Sequence, residues 1–162
     1  MHSNQPQPVT LQISSTVMRV DGYWLRNYAG DFLKGARDFV PPVDRFSPLP
    51  YYLVCHSIEL SLKAFLFSAG FNKAARKALN HNLEKAISAA EANGINAYLQ
   101  VSAKDRDLIV KANRLYPKKE FEYFESLETI YDPHNFQLED LTAFAHRLFE
   151  AIEAPVRASV LK

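Results

Sequence analysis

The chain has 162 residues, 48% apolar and 23% charged, with a formal net charge of +1. Those values are ordinary for one soluble globular domain that buries about two thirds of its unfolded surface. They exclude an overall field drawing the molecule to nucleic acid or an anionic membrane, so any polyanion contact must come from a local patch or from an oligomer that joins patches.

Residues 1–14 are polar and carry Pro6 and Pro8, which predicts a loose arm in which Leu11 and Ile13 could lie down as a short extended piece. A helical domain is expected over 15–162. Ser15 or Thr16 offers an N-cap for a long first helix ending near Val40. Its apolar residues Val17, Val20, Trp24, Tyr28, Phe32 and Phe39 recur at three- and four-residue steps. Pro41 and Pro42 stop it, because neither can continue the hydrogen-bond ladder. The short connection VDRFSPL then favours an antiparallel hairpin of the first two helices.

Leu49 to Gly70, LPYYLVCHSIELSLKAFLFSAG, is the strongest helical pattern in the chain. Pro50 falls in the first turn, where its missing amide costs nothing, and Gly70 falls where a left-handed cap would close the helix. Val54, Cys55, Ile58, Leu62, Phe65, Leu66 and Ala69 form one wide apolar face, and Leu53, Leu60, Ala64 and Phe67 form a second. Between them runs a narrow polar line of Tyr52, His56, Glu59 and Lys63. A helix apolar on two sides is packed on two sides, so this one is expected at the centre of a bundle. Cys55, the only cysteine, lies on the main apolar face, which predicts an inert buried thiol and fits a reducing compartment.

FNKAARKALN is a short basic segment of one or two helical turns. His81 or Asn82 starts the next helix, LEKAISAAEAN, and Gly94 ends it. Ser102 caps a fourth helix from Ala103 to about Leu115, with Asp105 placed for a capping-box start. Tyr116 to Phe136 mixes a helical spacing (Phe121, Phe124, Leu127, Tyr131) with alternation of Phe121 and Tyr123 against glutamates, and reads as mainly irregular. From Gln137 to about Glu153 the pattern is helical again, with Pro155 ending or kinking it. Without any run of strands, the fold class is an all-α antiparallel bundle.

The chemistry on offer is narrow. His2, His56, His81, His134 and His146 are scattered without zinc spacing, so no metal site is expected. GxGxxG, P-loop and GxSxG motifs are absent, and no cofactor is expected. The N-terminal stretch lacks a basic n-region and a long apolar h-region. Glu59 and Lys63 interrupt the most apolar stretch before it could cross a bilayer. A cytoplasmic protein without membrane contact is the expectation. The polar line reads either as an i,i+4 Glu59–Lys63 pair flanked by His56 and Tyr52, or as a ligand pocket or interface where histidine, carboxylate and ammonium converge. Lys73, Arg76 and Lys77 near His81, with Lys118 and Lys119 beside Tyr116, make a basic patch diluted by Glu120, Glu122, Glu125 and Glu128.

HSIELSLKAFLFSAG (His56 to Gly70), followed by HNLEKAI (His81 to Ile87) and later by ANRLYPKKEFEYF (Ala112 to Phe124), resembles the HEPN domain family over roughly Leu49 to Ile152. That resemblance implies a small helical bundle, commonly a homodimer. It also implies a nucleotide- or RNA-associated binding or effector module of a bacterial toxin–antitoxin, defence or nucleotidyltransferase-paired system, with a partner protein encoded nearby. Active members are metal-independent endoribonucleases carrying an Arg, four to six residues and a His, completed across the dimer. Arg76-Lys-Ala-Leu-Asn-His81 is the formal match, although Lys77 follows the arginine where Asn, Asp or His is usual, and the family's motif usually opens a later helix. Histidine would move a proton near neutral pH and arginine would stabilise developing phosphorane charge. A third reading is a noncatalytic bundle that only mediates protein association.

Overall fold

The computed structural model describes residues 21–119 and 137–160. Within them the chain is all-α, in the order α1 (Gly22–Asp38), α2 (Leu49–Ser68), α3 (Lys73–Ala78), α4 (Leu83–Ala92), α5 (Ala103–Asn113), α6 (Leu138–Ala151) and α7 (Glu153–Val160), with 3-10 turns at Ile95–Ala97 and Tyr116–Lys118. The expected arm, the Ser15 or Thr16 cap and the pattern from Phe121 to Phe136 lie outside the described residues. Among the described residues α1 begins at Gly22, where the Asp21 side chain accepts from the Trp24 amide at 2.9 Å and caps the first turn.

α2 is the centre of the bundle, packed against α1, α3, α4, α6 and α7. Val54, Cys55, Ile58, Leu62, Phe65 and Leu66 on one side and Leu60 and Ala64 on the other are buried. Leu53 and Phe67 are half-buried, and Ala69 is exposed at the cap. The helix closes in a Schellman arrangement: the Phe71 amide donates to Leu66 O at 2.9 Å and the Gly70 amide to Phe67 O at 3.0 Å, with Gly70 at φ +93°.

α1 does not bury the face its large apolar residues suggested. Gly22, Arg26, Ala29 and Leu33 point inwards, while Trp24 and Tyr28 are left exposed. Small residues explain the choice, since they let α1 lie close against α2. A Cβ on Gly22 would stand 3.2 Å from the Ala64 carbonyl oxygen. Arg26 ties this helix to the far end of the chain, donating from Nε to Phe149 O at 3.1 Å and pairing with Glu153 at 3.2 Å, its guanidinium stacked over the Phe149 ring. The last helical pattern is kinked at Ile152. Pro155 has no amide for the carbonyl of Ala151, so α6 stops and α7 restarts with the proline in its first turn.

The remaining helix starts follow local chemistry. Asn82 accepts from the Lys85 amide at 2.8 Å, and Gly94 sits at φ +89° just beyond α4. Ser102 and Asp105 form a full capping box at α5.

Candidate functional site

Glu59 is the middle of the polar line on α2, and only 3% of its side chain reaches solvent. A carboxylate in that position must have every lone pair supported. Lys63, one turn on, donates to Oε1, as the i,i+4 spacing requires. Oε2 accepts from the hydroxyl of Tyr116, which arrives from the 3-10 turn after α5, and from His81 Nδ1 at 3.0 Å, which arrives from the loop between α3 and α4. His56 Nδ1 lies 3.7 Å from the same oxygen. Burial alone would raise this carboxyl, but the neighbouring His56 imidazole, hydrogen bonds from Lys63 and Tyr116 and the Lys63 charge overcome it and hold the group near 2.

The proton positions follow from an ionised Glu59. It can only accept, so His81 Nδ1 carries its hydrogen and the Tyr116 proton points at the carboxylate. Burial and the Glu59 charge push the Tyr116 hydroxyl well above the usual tyrosine range, so it remains a donor. The 2.7 Å contact between His56 Nδ1 and the Tyr116 oxygen then runs from imidazole to phenol. Both histidines therefore use Nδ1 within the cluster and leave Nε2 as the unshared nitrogen, the tautomer suited to accepting a proton. His81 is the more open, with 42% of its side chain exposed against 19% for His56. Lys63 also donates to Asn80 O at 2.9 Å, which leaves one ammonium hydrogen for a ligand.

Aromatic rings frame His56. Tyr52 stacks on it at 5.6 Å with planes 15° apart, and Phe32 of α1 meets it edge-on at 4.4 Å. His81 meets the Tyr116 ring at 87°. One flank of the cluster is one-sided in charge. Residues 60–83 hold Lys63, Lys73, Arg76 and Lys77 without an acid; from α5 onwards the cations are mixed with acids, Lys111 pairing with Asp107 at 2.7 Å and Glu120 following Lys119 in the sequence.

All of Tyr52, His56, Glu59 and Lys63 lie together, and His81 joins them. Arg76 does not join its sequence partner. Its guanidinium donates to Phe71 O and covers the Phe67 ring at 4.3 Å, whereas the His81 ring turns to Glu59. Tyr116, the second donor on Oε2, has no signal of its own in the sequence beyond its place in an aromatic stretch. The Cys55 thiol, raised by burial and by Glu59, is chemically quiet.

Among the described residues no group of three or more His, Cys, Asp and Glu could hold a metal ion, and no helix is long and apolar enough to cross a membrane. Compared with family models, curated proteins and solved structures, the chain matches none of them.

Proposed function

We propose that this chain is a HEPN-like module that binds the phosphate of a nucleotide or RNA at the Glu59 cluster. The observation that carries the reading is the Lys63 ammonium, held on one buried carboxylate with a hydrogen to spare, beside the open edges of His56 and His81, whose Nε2 atoms would donate to phosphate in the protonated form. Glu59 fixes them in place and cancels one positive charge, while Lys73, Arg76 and Lys77, close by in the chain, add positive charge of the kind a polyanion needs. In this reading the chain works as a homodimer in a bacterial toxin–antitoxin, defence or nucleotidyltransferase-paired system.

Anisotropy with a labelled single-stranded RNA, titrated with salt in EDTA, tests it. Binding should weaken steeply as salt rises, with a slope of about −0.7 per phosphate neutralised. His81→Ala should weaken it several-fold while leaving the helical CD spectrum unchanged. RNA that fails to bind even at low salt leaves protein association as the function.

A cleavage reading is favoured by the tautomers. One imidazole with a bare Nε2 could take the 2′-hydroxyl proton as that oxygen bonds to phosphorus, and the other, entering protonated at Nε2, could give its proton to the 5′-oxygen as the P–O5′ bond breaks. Arg76 is turned away, so this activity would rest on His56 and His81 rather than on Arg76 and His81. Intact RNA after prolonged incubation in EDTA removes it.

A further inference from the structure

The rings that α1 withholds from the core form a ridge leading into the cluster. Trp24, Tyr28 and Phe32 recur every four residues and so share one side of the helix, opposite Ala29 and Leu33. Trp24 is 46% exposed and Tyr28 is 52% exposed. Tyr28 meets Phe32 edge-on at 4.9 Å, Phe32 meets His56 at 4.4 Å, and Tyr52 stacks beyond. Tyr28 is therefore continuous with the donor cluster through ring contacts, and Trp24 stands one turn further out on the same side.

We infer that Trp24 and Tyr28 are a stacking platform for the unpaired bases of a single RNA strand whose phosphate lies at His56, Lys63 and His81. This rests on the phosphate-binding reading above and adds to it the class of occupant. Trp24, Tyr28 and Phe32 follow one another about 6 Å apart along the helix, one ring per turn, so the row suits successive unstacked bases of an extended strand, where a mononucleotide would meet a single ring. Asp31 lies on the same exposed side of α1 and repels phosphate, which turns bases rather than backbone towards the rings. A duplex keeps its base faces stacked on one another and has none to offer.

Trp24 is the lone tryptophan, so its emission reports on the ridge directly. The full chain is titrated with an unlabelled 12-nucleotide single-stranded RNA, the same sequence as a blunt duplex, and ribose 5-phosphate. The single strand should quench Trp24, and the other two should leave its emission unchanged. Stacking is worth about 1–3 kcal/mol per base, so Tyr28→Ala should weaken strand binding by about fivefold to a hundredfold. Its salt slope and CD spectrum should match the parent. Unchanged affinity in Tyr28→Ala, or unquenched Trp24 on a strand that binds, overturns the platform and leaves the phosphate site standing. A strand that does not bind at low salt ends both readings. Emission that shifts with protein concentration alone identifies a self-association surface and overturns the platform too.

Discussion

Glu59 governs the chemistry of its neighbours because its charge is stabilised almost entirely by them. Its folded carboxyl stands near 2 against an ordinary 4.5, so the ionised form is favoured by folding. For a depressed acid, the added stability is present above the unfolded value and disappears as pH falls from about 4.5 towards 2. The amount is on the order of 3 kcal/mol. Urea denaturation at several pH values should show this loss in the parent and its absence in Glu59→Gln. At neutral pH that variant should already be destabilised by about 3 kcal/mol or more, since the amide sets an N–H against either Lys63 or the Tyr116 and His81 donors and leaves Lys63 without its counter-charge. The spacing of Tyr52, His56, Glu59 and Lys63 was enough to place them on one line of one helix. The arrival of His81 and Tyr116 was not legible, because it depends on where the α3–α4 loop and the turn after α5 return, and no periodicity records that.

At the scale of elements, local chemistry and packing divide the credit. Capping predicts well: Ser102 with Asp105, Asn82 and Gly70 all act where their side chains or backbone freedom indicate. Gly70→Ala meets open space, so its penalty comes from φ +93° alone, and thermal melts should register about 1 kcal/mol. Asp21→Ala should cost a similar amount, about 1 kcal/mol, by releasing the first turn of α1. The choice of face on α1 was where periodicity misled. Large rings at four-residue steps suggest a core stripe, yet Gly22 and Ala29 allow a close approach that rings would forbid, and the rings are left outside. Size, rather than hydrophobicity, decided which side turned in.

For the whole molecule, α2 is the shared wall of the core, which its double apolar face made legible from the sequence. Leu62 is fully buried at its middle. Leu62→Ala should remove about 2–5 kcal/mol, measured by urea denaturation. Far-UV CD and Trp24 emission should fall together in that experiment, because α1 and α2 belong to one cooperative unit.

The reach of Tyr116 back to Glu59 has a consequence for synthesis. A nascent chain that has not yet released the turn after α5 from the ribosome holds a carboxylate with one donor missing and a His56 Nδ1 without its acceptor. Sealing α2 away from water at that stage is unfavourable. α6 and α7, which also cover α2, are delivered later still, so a polypeptide stalled before residue 116 lacks both a donor for Glu59 and two of the helices that close over its centre.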